Sequence, residues 1–395
     1  MPDTILNVPN LRFPGFSGEW ERMKASDLLE FFSTNSLSWE QLEFGGTGLL
    51  NLHYGLIHNG LPSQIDINNS SLPAIKAGNE PRRITLCKEG DIAFADASED
   101  TNDVGKVVEF VDCAGKNVVC GLHTIHGRDK LDITVLGFKV YAFSSKAFHD
   151  QIKRIAQGTK VFSISVGCFD EVCVGIPSKE EQKRIAGLLS LIDQRIAIQN
   201  KVIEKYESLI RAIYHEAFSN ASGTMINLGN LVQIKKGAQL NGENLLTIGR
   251  YYVMNGGITP SGFYDSYNTH GEVISISEGG NSCGYVQYNA SPFWSGGHCY
   301  SLLPKSQYKD VAKYKYLYHY LKYHQNDIMA MRIGSGLPNI QKKDLERFQI
   351  ILPEPQKQER YTTLFDAVDR ILALEKDLLN KLLEKKTYLI SQMFI

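Results

Sequence analysis

"PSKEEQKRIAGLLSLIDQRI" spans residues 177–196, and "PEPQKQERYTTLFDAVDRIL" spans residues 353–372. Five residues of the first stretch recur at a constant offset of 176, since 353 − 177 = 176: Pro177, Gln182, Arg184, Leu188 and Asp193 return as Pro353, Gln358, Arg360, Leu364 and Asp369. A repeat over this distance is typical of one structural module that is built twice.

Apolar residues in both stretches advance by four and then three positions, which is the spacing of a coiled-coil seam. The first seam runs through Ile185, Leu189, Ile192, Ile196, Gln199, Ile203 and Tyr206 towards Ala217. The second seam runs through Tyr361, Phe365, Val368, Leu372, Glu375, Leu379 and Leu382 towards Met393. Each seam predicts a helix of about 40 residues, on the order of 60 Å long.

We expect the two helices to pack antiparallel on each other. Gln199 and Glu375 would then face each other near the midpoint, where one polar pair fixes the register of an apolar seam. The alternative is that each helix packs only on its own neighbouring domain. At the start of the first helix, Ser178 and Glu181 fit a capping box, in which each side chain binds the other residue's backbone amide.

Bulk composition indicates a globular protein of two or three domains, with 395 residues, 43% hydrophobic and 22% charged. No apolar run approaches a membrane span, so no membrane partner is expected. The seven scattered cysteines, and the lack of a secretory pattern at Met1-Pro2-Asp3, predict a reduced, cytoplasmic protein. No Cys-x-x-Cys pair occurs, so a structural zinc site is not expected. With a net charge of −1, any nucleic-acid binding must come from local surfaces or a basic partner.

The stretches before each helix are rich in glycine and in β-forming residues, as in "RITLCKEGDIAFADAS" and "GEVISISEGGNSCGYVQY". They predict an α+β fold in which two β-rich domains are separated by a pair of long antiparallel coiled-coil helices with pseudo-twofold symmetry. The two domains would lie at opposite ends of the helices. The predicted boundaries are 1–176 for the first domain with an N-terminal arm at 1–22, 177–220 for the central helix, 221–353 for the second domain and 354–395 for the C-terminal helix.

Signatures of catalysis are missing from the sequence. An amino-methyltransferase needs an Asn/Asp-Pro-Pro-aromatic loop around the flipped base, and the chain has no Pro-Pro pair. It also has no P-loop of the form Gly-x4-Gly-Lys-Ser/Thr. The histidine pairs His53/His58 and His319/His324 lack the spacing of a helical metal pair. We therefore expect no catalytic residue and no metal ligand.

Several stretches carry a resemblance to a known family. These are "VPNLRFPGFSGEWERMKASDLLEF" at 8–31, both helix segments with their flanks "GTKVFSI" and "GSGLPNI", and the domain segments "GDIAFADASEDTNDVGKVVEF" and "ISISEGGNSCGYVQYNASPFWSGGHCYSL". In these stretches the chain resembles the specificity subunit of type I restriction–modification systems. The second helix departs from the usual form, because Glu354-Pro355 replaces the Ser/Glu cap.

The resemblance implies a subunit that reads double-stranded DNA and has no catalysis or cofactor of its own. Each domain would read one half of a bipartite target, while the helices set the unread spacer. The helices would also dock two methyltransferase subunits that bind S-adenosylmethionine, and restriction subunits that consume ATP would then join. An alternative is a coiled-coil adaptor whose two domains bind protein or other ligands.

Bases are read by amide, hydroxyl, acidic and basic side chains on exposed loops, and phosphates by cations and backbone amides. The stretch 96–102 is too hydrophilic for a strand, so it is either a groove-facing loop or an ordinary turn. The DNA-contact candidates of the first domain are Asp96, Ser98, Glu99 and Asn102, with Lys106, Arg128 and Lys160 as nearby cations. Those of the second domain are Glu278, Asn281, Ser282 and His298, with Arg332 and Ser335 on a loop suited to phosphate.

The tyrosine- and lysine-rich run at 308–324 has two interpretations. One is a nucleic-acid face. The other, which we favour, is an amphipathic helix that covers the sheet with Leu317, Tyr320, Leu321 and His324 turned inward.

Overall fold

The computed structural model describes residues 7–113, 115–219, 221–308, 311–334 and 336–395. These form two compact units: the first is Met1–Asn200 with Leu378–Ile395, and the second is Lys201–Asp377. Each unit contains one segment of each long helix, so the predicted domain boundaries, which lie at the helix ends, stay a prediction. Within the described ranges, no helix combines the length and apolarity that a lipid bilayer requires.

Two helices are far longer than the rest, α5 with 41 residues and α10 with 38. The helices are α1 (Ala25–Leu28), α2 (Tyr54–His58), α3 (Lys139–Phe143), α4 (Lys146–Ile155), α5 (Lys179–Ser219), α6 (Leu228–Leu231), α7 (Tyr314–Tyr323), α8 (Gln325–Ala330), α9 (Lys342–Arg347) and α10 (Pro355–Gln392). Short 3₁₀ turns lie at Trp39–Gln41, Val166–Asp170, Gly242–Asn244 and Ser306–Tyr308. The two long helices thus fill the segments that the seams predict.

The β-rich part of the first unit consists of a five-stranded and a four-stranded sheet with two accessory strand pairs. Its strands are β1 (Glu21–Lys24), β2 (Leu29–Phe32), β3 (Leu42–Glu43), β4 (Leu50–Leu52), β5 (Gln64–Asp66), β6 (Ala74–Ile75), β7 (Ile92–Ala95), β8 (Ala97–Ser98), β9 (Val107–Asp112), β10 (Val118–Cys120), β11 (Thr124–Asp129), β12 (Phe162–Ser163) and β13 (Cys173–Ile176). The sheet orders are β2-β11-β7-β9-β5 and β10-β4-β6-β3, and the pairs are β1-β13 and β8-β12.

The β-rich part of the second unit has a four-stranded and a three-stranded sheet. Its strands are β14 (Thr224–Asn227), β15 (Val232–Lys236), β16 (Tyr251–Met254), β17 (Gly262–Tyr264), β18 (Val273–Ser277), β19 (Val286–Asn289), β20 (Trp294–Ser295), β21 (Cys299–Pro304) and β22 (Gln349–Leu352). The sheet orders are β15-β21-β18-β19 and β17-β16-β20, and β14 pairs with β22. Helix α7 contacts β19 and buries Leu317, Tyr320 and Leu321, so the covering helix predicted from the tyrosine-rich run is confirmed. His324, also expected to face inward, lies just beyond the end of this helix and is half-buried.

Both units open and close their β-rich parts in the same way. In the first unit β1 pairs antiparallel with β13, from Glu21 opposite Ile176, and the helical turn α1 follows β1. In the second unit β14 pairs antiparallel with β22, from Thr224 opposite Leu352, and the turn α6 follows β14. The prediction of one α+β architecture built twice is confirmed in this frame. The interiors differ, because the strand orders inside the two frames are not the same.

Burial along the two long helices follows the spacing of the sequence seams. The buried seam residues of α5 are Ile185, Leu189, Ile192, Gln199, Ile203, Ile210 and Ala217, and those of the second seam are Phe365, Val368 and Leu389 on α10 and Met393 just after it. Several apolar residues off the seam are open to solvent, since Leu191 is 64% exposed and Leu374 is 63% exposed, whereas Ala186 and Phe218 lie off the seam and are buried. The seam therefore accounts for most but not all of the apolar burial on α5.

In the first unit, α5 and the end of α10 run in opposite directions. Lys386 of α10 forms an ion pair of 2.5 Å with Asp193 of α5. Further back along the chain, Gly175 lies against Ile395, because a Cβ atom built on Gly175 would fall 2.3 Å from Cγ1 of that residue. Asp193 also accepts hydrogen bonds from the hydroxyls of Tyr141 at 2.9 Å and Ser63 at 3.1 Å. One carboxylate thus joins both helices to the β-rich part of this unit.

In the second unit the two helices are again antiparallel. Glu207 of α5 pairs with Lys376 of α10 at 2.7 Å, and further along α5 the Tyr214 ring lies 4.6 Å from the Phe365 ring between centroids. The Tyr214 hydroxyl lies 2.8 Å from Nδ1 of His319, whose pKa burial lowers to about 4. That histidine is therefore a neutral, hydrogen-bonded core residue. The expected contact between Gln199 and Glu375 stays a prediction.

A buried glutamine near the start of each helix forms the same three hydrogen bonds in both units. In the first unit, Nε2 of Gln182 donates to the carbonyls of Pro177 at 2.9 Å and Ile133 at 3.0 Å. Its Oε1 accepts from the backbone N–H of Val135 at 2.9 Å. All three hydrogen-bond partners of this side chain are main-chain groups, so the glutamine attaches the helix to the loop at 133–135.

The second unit repeats the arrangement. Nε2 of Gln358 donates to the carbonyls of Pro353 at 2.7 Å and Val311 at 2.8 Å. Its Oε1 accepts from the backbone N–H of Lys313 at 2.9 Å. Both glutamines have no solvent-accessible surface. The recurring glutamine of the sequence repeat is therefore the residue that attaches each helix to a β-rich part.

The expected capping box at the start of α5 is only half formed. The backbone N–H of Glu181 donates to the Ser178 hydroxyl at 3.4 Å. The Glu181 carboxylate does not return this bond, because it forms a two-pronged ion pair with Arg12 at 2.7 Å and 2.7 Å. A guanidinium from the predicted N-terminal arm thus outcompetes the local backbone amide for this carboxylate.

Replacing Ile192 by aspartate should destabilise the first unit by several kcal/mol, since a buried carboxylate without a partner is costly. Val368→Asp should do the same in the second unit. Leu191→Asp is the matched control. The neighbouring Leu191 side chain is 64% exposed, so this substitution should change the unfolding free energy little. Chemical denaturation followed by circular dichroism measures the difference. Equal stabilities for Ile192→Asp and Leu191→Asp would contradict the packed seam.

Replacing Gln358 by leucine, of similar size, should cost roughly 2–5 kcal/mol of unfolding free energy, because it leaves three buried main-chain groups without partners. Gln182→Leu should show a similar loss. The control is Gln194→Leu at an exposed position of α5, whose unfolding free energy should stay within about 0.5 kcal/mol of that of the parent. Denaturant titrations of all three variants provide the test, and a neutral Gln358→Leu would refute the anchoring role.

Candidate nucleic-acid interface

In the second unit, polar side chains converge on Glu278, directly after β18. Its Oε1 accepts from Nζ of Lys236 at 2.6 Å and from the hydroxyl of Tyr300 at 3.1 Å. Nδ1 of His298 lies 3.7 Å from its Oε2, an atom that is buried and has no hydrogen-bond partner among the described residues. The carboxylate is therefore a fixed centre that holds a lysine and a histidine, both mainly exposed, at the surface.

Main-chain bonds bring two further loops to this centre. Asn339 forms a bridge with Gly279 and another with Ile333, and the N–H of Ile340 donates to the Glu278 carbonyl at 2.9 Å. Arg332 is exposed next to this junction. Gly256, at φ +83°, completes the contact, because a Cβ atom there would lie 3.0 Å from Cβ of His298.

Of the second-domain residues predicted to contact DNA, the structure brings Glu278 and His298 together. Asn281 is exposed and Ser282 half-buried on the turn that follows Glu278. Arg332 borders the same cluster, and Ser335 lies outside the described residues. We call the following residues the Glu278 cluster: Glu278, Asn281, Ser282, His298 and Arg332, together with Lys236, Asn255 and Tyr300.

The sequence did not single out three members of the Glu278 cluster, namely Lys236, Asn255 and Tyr300. The Asn255 side chain accepts from the backbone N–H of His298 at 3.2 Å, and so fixes the loop that carries the histidine. The pair Lys235-Lys236 before Gly237 was the available signal for a cation at a strand end. Asn255 and Tyr300 carry no such signal, because strand pairing alone brings them near Glu278.

In the first unit, Asp96 binds His123 instead of standing free. Its Oδ1 lies 3.0 Å from Nδ1 of the histidine. Burial raises the pKa of Asp96, although the nearby histidine opposes this shift. His123 adopts φ 55°, which is rare for a residue with a side chain. An exposed imidazole is therefore fixed above the acidic residue that the sequence selected.

The loop predicted from Asp96 to Asn102 is partly wrong. Ala97 and Ser98 form strand β8, which pairs with Phe162 and Ser163, because the buried Ala97 gives this hydrophilic stretch one apolar anchor. The turn follows only from Glu99, which is exposed. Asn102 accepts from Nζ of Lys153 at 2.6 Å.

The three cations proposed for the first domain have different surroundings. Lys106 is exposed, and its Nζ donates to the carbonyl of His58 at 2.9 Å. Lys160 is exposed on the loop before β12. Arg128 instead points to the buried Asp91, with two hydrogen bonds of 2.7 Å, and its guanidinium lies 4.7 Å from the Phe32 ring centroid. Arg128 is therefore committed to an internal ion pair.

A row of aromatic and imidazole rings, not predicted from the sequence, ends at His123. Trp39 and Phe44 are stacked at 6.3 Å and are 44% and 58% exposed. The row continues from Trp39 to His53 at 4.3 Å, to Tyr54 at 4.8 Å and to His123 at 5.1 Å. We call these five residues the aromatic row. Such rings offer flat faces to sugars and unstacked bases, and imidazoles can donate to phosphate.

Comparisons with known proteins identify what this chain resembles in sequence and in fold. Residues 223–384 match the sequence profile of the family described as type I restriction modification DNA specificity domain. A putative type I specificity subunit of Mycoplasma genitalium is 29% identical over 257 residues, which is 61% of this chain and 66% of the relative. A putative type I specificity subunit of Mycoplasma pneumoniae is 32% identical over 166 residues, 42% of this chain and 43% of the relative. The matched regions thus span less than two thirds of either relative.

Solved structures share the fold over nearly the whole chain. The crystal structure of a type I restriction–modification S subunit from M. genitalium has a TM-score of 0.68 at 21% identity, covering 98% of this chain and 99% of that one. A chain from a structural study of complex assembly and conformational transition in the type I system has a TM-score of 0.53 at 16% identity, covering 97% and 98%. The resemblance predicted from the sequence is confirmed: residues 223–384 match the type I restriction modification DNA specificity domain family, up to 61% of the chain is similar to putative type I specificity subunits, and the fold over nearly the whole chain is that of a type I S subunit.

Proposed function

We propose that the chain is the DNA-recognition subunit of a type I restriction–modification complex. Each β-rich part reads one half of a bipartite double-stranded target, and the long helices set the unread spacer between the halves. The observation that carries this proposal is the duplicated attachment of two different β-rich parts, in which Gln182 and Gln358 form the same bonds. The same attachment to the helices, combined with different strand orders in the two β-rich parts, suits two domains that recognise different DNA sequences.

The proposal assigns the chemistry to partner subunits. Two methyltransferase subunits bring S-adenosylmethionine, and restriction subunits bring the ATP-dependent step. The chain itself reads DNA and has no catalytic residue. Exposed apolar residues off the seam, such as Leu191 and Leu374, offer docking positions for the methyltransferase subunits along the helices. Positive partners also supply phosphate affinity that a chain of net charge −1 lacks.

Two surfaces are proposed to meet the DNA. In the second unit it is the Glu278 cluster, where Asn281 and His298 reach base edges and Lys236 and Arg332 reach phosphates. In the first unit it is the aromatic row together with Lys106 and Lys160. Asp96 supports the aromatic row through its contact with His123, and Ser98, Glu99 and Asn102 remain candidate contacts with DNA. Arg128 is not among the proposed contacts, because its guanidinium is engaged by Asp91.

Methylome sequencing tests the function. A host that expresses this chain with its modification subunits should carry one bipartite methylated motif, and the motif should disappear when the chain is deleted. Expression of the modification subunits alone is the control. An unchanged methylome after deletion would refute the proposal and favour the adaptor alternative.

Substitutions in the Glu278 cluster should alter one half of that motif only. Asn281→Ala and His298→Ala each should lose about 1–3 kcal/mol of discrimination at one base pair, which is the worth of a good base contact. Asn380→Ala is the matched control, because it removes an equally exposed amide from α10. Binding competition with duplexes mutated in either half measures the effect. Changes in both halves would contradict the separate readers.

A further inference from the structure

A group of potential metal ligands lies inside the β-rich part of the first unit. Cys87, Cys120 and His126 each place a ligand atom within 4.8 Å of the other two. Cys120 is the last residue of β10 in the four-stranded sheet, and His126 lies on β11 in the five-stranded sheet. The group therefore lies where the two sheets of this unit meet. All three side chains are buried.

The two sulfur atoms already have the separation that a tetrahedral ion requires. Sγ of Cys87 lies 3.6 Å from Sγ of Cys120. A zinc ion with Zn–S bonds of about 2.3 Å holds its sulfurs roughly 3.8 Å apart. A disulfide would need about 2.0 Å, so the pair is set at the distance of a shared ion and not of a bond between sulfurs.

The histidine has the hydrogen bonding of a metal ligand. Its Nε2 lies 2.7 Å from Oδ2 of Asp91. Both carboxylate oxygens of Asp91 also accept hydrogen bonds from Arg128, so the carboxylate is the acceptor and Nε2 of His126 is the donor. Metal-binding histidines usually donate their second ring N–H to a carboxylate in this way.

The other ring nitrogen of His126 lacks a partner. Nδ1 is fully buried and forms no hydrogen bond to the described residues. Leaving a buried polar atom unsatisfied costs free energy, and a bound cation would remove this cost. With the proton on Nε2, the lone pair available for a metal lies on Nδ1.

A third thiol, that of Cys113, lies near the group. Sγ of Cys113 is 3.7 Å from the carbonyl oxygen of Cys87, and this cysteine is only partly buried. The fourth position of a tetrahedral ion is then filled by water, because the Cys113 sulfur is not among the atoms that lie within 4.8 Å of one another. Coordination requires each ligating sulfur to lose its proton.

We propose that Cys87, Cys120 and His126 bind a zinc ion that joins the two sheets of the first unit. Cys87 and Cys120 each release a thiol proton to solvent as the sulfur coordinates, and the two thiolates balance the charge of the ion. The Cys-x-x-Cys criterion misses this site because its ligands come from three segments that only the fold brings together. The inference does not depend on the proposed DNA function.

The test measures zinc in the full-length chain, purified without chelators under reducing conditions. Elemental analysis should find zinc equimolar with the chain, and replacement by cobalt should give a thiolate-to-cobalt charge-transfer band. Cys120→Ser and His126→Gln should both lose the metal. Cys299→Ser is the matched control, because it removes a buried thiol from the second unit and should leave the zinc content unchanged.

A measurement on the unmodified chain guards against variants that fail to fold. Because both thiols are buried, alkylation is measured in mild denaturant: Cys87 and Cys120 should react more slowly when zinc is present than after zinc is removed by a chelator, as read by peptide mass spectrometry. The melting temperature of the loaded chain should also fall on chelation. Absence of bound zinc and of the cobalt band, or a Cys87–Cys120 disulfide in the reduced preparation, would overturn the proposal.

Discussion

The attachment of each β-rich part to its helix depends on one buried side-chain amide. Gln182 and Gln358 donate twice and accept once, and in each case all three partners are main-chain groups. A long helix has no geometric reason to hold a neighbouring domain at one angle, since an apolar stripe permits sliding. Directional bonds in a dry environment remove that freedom, because any shift leaves polar atoms unpaired.

The aspartates of the repeat play related but unequal roles. Asp193 accepts from two hydroxyls and pairs with Lys386, so it is fully satisfied. Its counterpart Asp369 lies 4.0 Å from Nδ1 of the buried His319, and burial raises its pKa. The two aspartates thus occupy equivalent positions in the repeat, but the groups around them differ. The apolar seam and the glutamine are constant, and the polar surroundings are specific to each unit.

The sequence predicted the features that depend on local periodicity and left out those that depend on pairing between distant strands. The heptad spacing identified α5 and α10 and their buried residues, because helix burial repeats every three or four positions. Ala97 and Ser98 were missed as a strand, since their partners lie some 65 residues later in the chain. The same limit hid Asn255 in the Glu278 cluster and the approach of Cys87 to Cys120. Arg128 could not be placed either, because only the fold shows that Asp91 engages it.

The paired strands at the base of each unit also affect how such a chain can change over generations. Because β1 pairs with β13, and β14 with β22, the polypeptide enters and leaves each β-rich part at adjacent points. The segment between these points is an insert whose two ends are adjacent. Its length and strand order can therefore be altered without disturbing the strands that frame it. A change of length or sequence within an insert therefore leaves in place the strands that mount the unit on the helices.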